Sequence, residues 1–161
     1  MQKIFLGGKY GSIIGNFALV DDEYFEKCKL YKWFAHKHKS GNIYARVLVK
    51  QKDLYLHRFI LSQVGKITDH KNHNTLDCTR DNLRICTASQ NSANRITKRK
   101  YLGISFHKKY KKYSACCKKN GITYGIYSLE TEDAAALAYN ELALKHHGEF
   151  ARLNIIPSLN P

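Results

Sequence analysis

Short apolar runs bounded by polar turns dominate the first half of the chain, and their spacing predicts several strands and two short helices. Asp21, Asp22 and Glu23 place acidic residues where a helix to about Cys28 begins, which favours a helix start. A helical apolar face covers 57–64 and stops at Gly65. The strands are predicted at Lys3–Leu6, Phe17–Val20, Ile43–Val49 and Leu54–Leu56, the last two joined by a polar turn as a hairpin.

The segment Thr68–Asp81 has the fewest apolar residues in the chain and cannot form a core. A short strand is predicted after it at Asn82–Cys86. Thr87 and Gln90 then have the spacing of a capping box, in which the hydroxyl and the amide each satisfy a backbone group. A helix is therefore predicted over Ala88–Ile96.

The second half reads as three strands followed by one helix. Asn120-Gly121 is a strong hairpin signal. Thr131 is a suitable N-cap residue, and the acidic residues that follow it favour the first turn of a helix. Gly148 is the expected helix stop. The strands are predicted at Leu102–His107, Tyr113–Lys118 and Ile122–Ser128. The fold class predicted for the whole chain is α+β.

The charge of the chain narrows the class of partner. Among 161 residues there are 27 Lys and Arg against 13 Asp and Glu, a formal charge of +14. This excess predicts a polyanionic partner, most commonly nucleic acid. An anionic membrane surface competes weakly, because no stretch approaches the roughly 18 apolar residues of a spanning helix. With no signal-peptide core either, the chain is expected to act inside the cell, in the cytoplasm.

The five cysteines are an odd number and contain no Cys-x-x-Cys pair. Reduced, buried or half-buried thiols are the favoured interpretation. A mixed Cys/His zinc site using Cys78 and Cys86 stays open as the alternative, although no structural zinc is expected.

Candidate chemistry lies in Asp69, His70, Asn82 and Asn91. If strand, polar loop, strand and helix fold back, Asp69, His70 and Asn91 come together. Carboxylate and amide oxygens suit Mg²⁺ or a similar ion, and a neutral imidazole can take a proton from water. One metal and one histidine suffice for phosphodiester hydrolysis.

Four segments in order and spacing resemble the His-Asn-His (HNH) nucleases, in the phage and intron homing-endonuclease branch. These are Leu56-His57-Arg58, Asp69-His70-Lys71-Asn72, Asp81–Thr87 and Ser89–Arg95. The resemblance implies a ββα-metal fold with His70 as general base and Asp69 and Asn91 as ligands of one divalent ion, Mg²⁺ or alternatively Mn²⁺. Asn82 would brace the loop and orient His70, and together His70, Asn82 and Asn91 form the implied catalytic set. His57 belongs to the family's His-Arg pair, for which a structural or a DNA-backbone role is expected. Where family loops often carry a glycine after the histidine, this chain has Lys71-Asn72-His73-Asn74.

The second half resembles the APETALA2-type DNA-binding domain. The matching residues are Tyr101–Ile104, Tyr113–Ala115, Gly121, Tyr124–Tyr127, Thr131–Ala135, Ala138–Asn140 and Gly148–Asn154. The resemblance implies a three-stranded antiparallel sheet in the DNA major groove with one helix packed behind it. Residues 98–119 carry nine Lys and Arg and no acidic residue, with aromatic residues between them. The candidate DNA contacts are Arg84, Arg95, Ser105, His107, Lys109, Lys111 and Tyr113.

We therefore expect a ββα-metal nuclease domain with a β-hairpin extension over 1–97 and a DNA-binding domain over 98–161. The function expected is a metal-dependent, sequence-recognising DNA endonuclease of the homing type that acts on double-stranded DNA. With one site per chain, a monomer would nick one strand, and a dimer is the alternative for double-strand cleavage. Two other classes stay open: a DNA-binding regulator with a vestigial nuclease site, and an RNA-binding or RNA-cleaving protein.

Overall fold

The computed structural model describes residues 1–12, 15, 17–63 and 65–157. The contacts of the chain divide it into two compact units, one over Met1–Cys86 and one from Thr87 onward. The division of the chain into functional domains at 97/98 stays a prediction, because a compact unit is defined by contacts alone. The helix predicted at 88–96 contacts elements of the second unit.

The first unit contains seven strands and two helices among its described residues. Three antiparallel sheets are formed by β1 with β2, by β3, β4 and β5 in that order, and by β6 with β7. The elements are β1 (Gln2–Phe5), β2 (Phe17–Val20), α1 (Asp22–Lys29), β3 (Phe34–Lys37), β4 (Ile43–Val49), β5 (Lys52–Tyr55), α2 (Leu56–Leu61), β6 (Ile67–His70) and β7 (Leu83–Cys86).

The second unit contains α3 and a three-stranded antiparallel sheet, in the order β10, β9, β8, followed by α4 and one 3₁₀ turn. Alanines and Tyr139 of α4 pack against Ala115 and Cys117 of β9. The elements are α3 (Ala88–Ala93), β8 (Ile104–His107), β9 (Lys112–Lys119), β10 (Ile122–Leu129), α4 (Glu132–His147) and the 3₁₀ turn (Gly148–Phe150). The chain is therefore a mixed α and β protein, as the sequence predicted.

A core of aliphatic and aromatic side chains lies beneath the sheets of the first unit. Trp33 is 2% exposed, and its Nε1 donates a hydrogen bond to the carbonyl oxygen of Cys28 at 2.8 Å. Cys28 and Cys78 are buried in the same core. Burial raises the pKa of Cys28 to about 11 and raises that of Cys78 as well, so both are neutral thiols. All five cysteines are free.

Local signals predicted the ends of several elements correctly. Thr87 and Gln90 form both hydrogen bonds of the capping box. Thr131 caps α4 by accepting a hydrogen bond from the N–H of Ala134 at 3.1 Å. Asn120 and Gly121 take positive φ angles of 50° and 87° between β9 and β10, as the predicted hairpin requires.

Several elements differ from the prediction. Leu56 begins α2 instead of ending a strand, and β8 begins at Ile104 instead of Leu102. The α2 helix ends at Leu61, since Ser62 takes a left-handed φ of 50° and closes the helix end. Val64, the predicted helix end, lies outside the described residues. The α3 helix ends at Ala93 instead of residue 96. β3 was not predicted, because its four residues show little alternation and are held as a strand by pairing with β4. No helix in the described ranges is long and apolar enough to span a bilayer.

Candidate active site

Asp69 and His70 are the last two residues of β6, and the antiparallel partner strand fixes their surroundings. The register pairs Asp69 with Arg84 and His70 with Leu83. Asp69 and His70 are each 6% exposed. The strand end therefore buries a carboxylate and an imidazole in succession.

Asn82 holds the loop that follows His70, as predicted for a bracing residue. Its Oδ1 accepts a hydrogen bond from the backbone N–H of Asn72 at 2.9 Å, and its Nδ2 donates to the carbonyl oxygen of Asp77 at 2.7 Å. Its own carbonyl oxygen accepts from the N–H of Lys71 at 2.9 Å. One buried amide thus connects both ends of the loop to the start of β7.

The loop supplies its own turn chemistry in place of the family glycine. His73 takes a left-handed φ of 64°, the conformation that usually favours glycine. Asn72 Oδ1 accepts from the N–H of Asn74 at 2.9 Å, and Asn72 Nδ2 donates to Asp77 Oδ2 at 2.7 Å. Such asparagine turns hold a loop without glycine.

The loop is also attached to β2, which no sequence signal indicated. The N–H of Leu19 donates to the carbonyl oxygen of Leu76 at 2.8 Å, and the N–H of Cys78 donates back to Leu19 at 2.9 Å. The peptide segment after His70 is therefore fixed at its start by Asn82 and farther along by a strand from the N-terminal hairpin.

Asp69 is bound by the guanidinium of Arg84 on the paired strand. Arg84 Nε and Nη2 lie 2.8 Å and 2.7 Å from Asp69 Oδ2. Both side chains are nearly buried, so this pair is strongly desolvated and breaking it is costly. Arg84 was predicted as a DNA contact, and that role stays a prediction. In the structure its guanidinium orients Asp69.

His70 lies in a cluster of rings that the sequence did not reveal. Its ring centroid is 5.2 Å from that of His57, at an interplanar angle of 77°, and 6.1 Å from that of Tyr44. Tyr55 stacks on His57 at 5.7 Å and 29°. Tyrosines on two adjacent strands before the His57-Arg58 pair were the available signal, but their convergence on His70 depends on tertiary packing.

Burial sets the protonation of both histidines. It lowers the pKa of His70 to about 4, although the nearby carboxylates of Asp69 and Asp77 act in the opposite direction. Burial and the neighbouring His70 and Arg58 lower the pKa of His57 to about 3. Both imidazoles are neutral at pH 7, the form in which a histidine accepts a proton.

The remaining predicted site residues lie in the second unit. Asn91 is on α3, and Arg95 follows that helix. Ser105 and His107 are exposed on β8, and His107 Nε2 lies 2.9 Å from Ser114 Oγ. Lys109 and Lys111 are exposed in the turn before β9, and Tyr113 packs on Phe106 with ring centroids 4.8 Å apart.

Comparison with known proteins identifies the class to which this site belongs. Residues 55–93, which contain Asp69, His70, Asn82 and Asn91, match the model of a family described as HNH endonuclease. An uncharacterized HNH endonuclease of Acanthamoeba polyphaga mimivirus is 38% identical over 149 residues, covering 88% of this chain and 76% of the relative. No solved structure matches the chain. The chain belongs to the HNH endonuclease family and is a nuclease, and family membership implies DNA as its substrate.

HNH nucleases generally use a divalent metal ion, and the donor chemistry here fits one that is bound together with substrate. Within the described ranges, no three His, Cys, Asp or Glu side chains group as metal ligands. Mg²⁺ commonly takes only one or two protein carboxylates and completes its shell with waters and substrate phosphates. The buried carboxylate of Asp69 fits that mode of binding better than a preassembled protein cage.

Proposed function

We propose that the protein is a metal-dependent, sequence-recognising DNA endonuclease of the homing type. The observation that carries the proposal is the end of β6, where a buried carboxylate and a neutral imidazole stand side by side beside a loop braced by Asn82. A rigid carboxylate and a proton acceptor are the two groups that hydrolysis of a phosphodiester needs from the protein.

In this proposal His70 is the general base that takes a proton from the attacking water. The neutral ring is ready to accept at pH 7, because burial holds its pKa at about 4. A DNA phosphate next to the ring adds negative charge and raises that pKa. Binding of the substrate therefore moves the base toward the pH at which proton transfer is most efficient.

Asp69 would hold the divalent ion, Mg²⁺ or alternatively Mn²⁺, and Asn91 joins it on the strength of the family resemblance. When bound, such an ion supplies charge stabilisation to the scissile phosphate and the leaving oxygen. Arg84 keeps the Asp69 carboxylate in one orientation through two hydrogen bonds to Oδ2. Asn82 keeps His70 and its loop in place, so the water and the base meet in one geometry.

Sequence recognition is assigned to the APETALA2-like part, residues 98–161, with 1–97 as the nuclease domain of ββα-metal type. Lys109 and Lys111 present positive charge in the turn between β8 and β9, next to the exposed Ser105 and His107 of β8. Contacts of lysine and arginine with phosphate would supply most of the affinity, while Ser105, His107 and Tyr113 contact the groove and the backbone. Arg95, and Arg84 if its pair with Asp69 opens, are further DNA contacts. Because each chain has one active site, the monomer nicks one DNA strand.

The test is cleavage of supercoiled plasmid DNA by the full chain in Mg²⁺ and in EDTA. We expect nicked circles in Mg²⁺ only, and a loss of at least about 100-fold in His70→Ala, the typical effect of removing a general base. His146→Ala on α4 is the matched control and should cut at the wild-type rate, while both variants bind DNA equally.

Three results would contradict the proposal. Cleavage in EDTA at the wild-type rate removes the metal requirement. Wild-type activity in His70→Ala removes the general base. DNA binding by the wild-type chain without cleavage in either Mg²⁺ or Mn²⁺ indicates a vestigial site.

A further inference from the structure

A cavity of about 230 Å³ opens in the first unit beside the ring cluster around His70. Four elements line it: the loop after β3, strand β4, the junction of β5 with α2, and strand β6. Its walls include the side chains of His38, Tyr44, Tyr55, His57, Arg58 and Thr68. None of these residues was placed in the catalytic machinery above.

The lining has the chemistry of an anion site. It contains the exposed guanidinium of Arg58, two phenol groups and imidazole N–H donors, and no carboxylate among the described residues.

The cavity is linked to the proposed general base by a single ring. His57 lines the cavity and also contacts His70, with ring centroids 5.2 Å apart. Neighbouring phosphates of one DNA strand rise about 3.4 Å along the helix axis. The cavity wall formed by His57 therefore lies about one to two nucleotide steps from His70.

We infer that the cavity is a subsite for the sugar and phosphate next to the scissile phosphate, with Arg58 as the anion anchor. The inference rests on the proposed endonuclease function and names the part of the substrate that this second site holds. A guanidinium binds phosphate through paired N–H donors, and Arg58 is the third residue of α2, which begins immediately after β5.

The backbone of DNA fits this cavity better than a base does. A base needs an open aromatic face for stacking, yet Tyr55 already stacks on His57 and carries the Arg58 guanidinium 5.7 Å from its ring centroid. Tyr44 meets Tyr55 edge-on at 84°.

The first test needs no cleavage. 2-Deoxyribose 5-phosphate and thymidine are titrated separately into the full chain, and the NMR signals of His57 and Tyr55 are followed. We expect the sugar phosphate to shift these signals, with about 10-fold weaker binding in Arg58→Gln, the effect of losing one charge-assisted hydrogen bond. Arg80→Gln is the control, because this substitution removes the same charge from the same unit and Arg80 does not line the cavity. Thymidine should leave the signals unchanged.

The second test couples Arg58 to one phosphate of a cleaved duplex. Methylphosphonates, which are neutral, are placed singly on either side of a mapped nick. In the wild-type protein and in Arg80→Gln, one flanking position should lower kcat/KM about 10-fold through KM, as lost ground-state binding does. In Arg58→Gln that same position should bring no further loss.

Each outcome decides the inference. It is overturned if thymidine binds and the sugar phosphate does not, if neither probe shifts the signals, or if the methylphosphonate penalty is equal in wild type and Arg58→Gln. If the wild-type chain makes no cut, the endonuclease proposal fails by itself, and the NMR titration still decides whether the cavity binds a sugar phosphate.

Discussion

Replacing Asn82 by alanine removes the two side-chain hydrogen bonds that hold the loop after His70. The backbone N–H of Asn72 and the carbonyl oxygen of Asp77 lose partners at 2.9 Å and 2.7 Å. A buried group left without a partner costs about 1–3 kcal/mol. Because this loop is only partly buried, we take the lower end for each and expect the first unit to lose about 2 kcal/mol of unfolding free energy.

For a unit of this size, about 2 kcal/mol corresponds to a fall of roughly 10 °C in its unfolding temperature. The chain's single tryptophan, Trp33, is buried in the core of the first unit. Its fluorescence during thermal or urea unfolding therefore reports on that unit. Asn82→Asp keeps the acceptor but not the donor, and it should recover part of the loss.

Cleavage should fall further than stability alone explains. A loop displaced by about 1 Å changes the position of the base and can reduce the rate about 100-fold, even at a temperature where Asn82→Ala is folded. Asn42→Ala changes an exposed asparagine of the same unit and should alter unfolding by less than about 0.5 kcal/mol. An unchanged Trp33 transition in Asn82→Ala would refute the bracing role. Normal cleavage by a destabilised Asn82→Ala variant would show that bracing of the loop stabilises the fold but does not contribute to catalysis.

Three further predictions test the electrostatics and packing of both units. Because burial lowers the pKa of His57 to about 3, the stability that its neutral ring contributes is complete above pH 6.5 and is lost as pH falls toward 3. The unfolding free energy, measured with urea in EDTA between pH 6.5 and 5, should therefore fall more steeply with decreasing pH in wild type than in His57→Phe, by up to about 1.4 kcal/mol per pH unit. Equal slopes in the two proteins would contradict the lowered pKa of His57. Lys109→Gln with Lys111→Gln should flatten the log–log salt dependence of DNA binding by up to about two units if both lysines contact phosphate; an unchanged slope would place the contacts elsewhere. Gly103 has φ of 67°, and a Cβ there would lie 2.1 Å from a tyrosine ring atom, so Gly103→Ala should destabilise the second unit by about 3 kcal/mol or more in a circular-dichroism melt. Gly121→Ala shares the positive φ but meets open space, and similar losses in the two variants would rule out the clash.

Asp69, His70 and Asn82 could be singled out from residue types and spacing because they are close along the chain. Asp69, His70 and Asn82 lie on the two paired strands or at the ends of the loop between them. Bracing of that loop by Asn82 was implied by the family resemblance, and the hydrogen bonds to Asn72 and Asp77 support it. The catalytic roles of these residues stay predictions.

The structural features that could be predicted from the sequence were therefore local. The capping box of Thr87 and Gln90, the Asn120-Gly121 hairpin and the ends of α4 depend on backbone groups within a few residues of the signal. The reason is that caps and turns satisfy their own hydrogen bonds, so distant parts of the chain cannot easily override them.

The neighbours of the Asp69 and His70 side chains depend on tertiary structure. Arg84 binds Asp69 because the strand register places them opposite each other, and His57 reaches His70 because α2 follows the tyrosine-bearing strands into the same core. A shift of one residue in register would turn either side chain to the other face of its strand. Burial then lowers the pKa of both histidines, and burial is a property of the packed fold that no local pattern of residues contains.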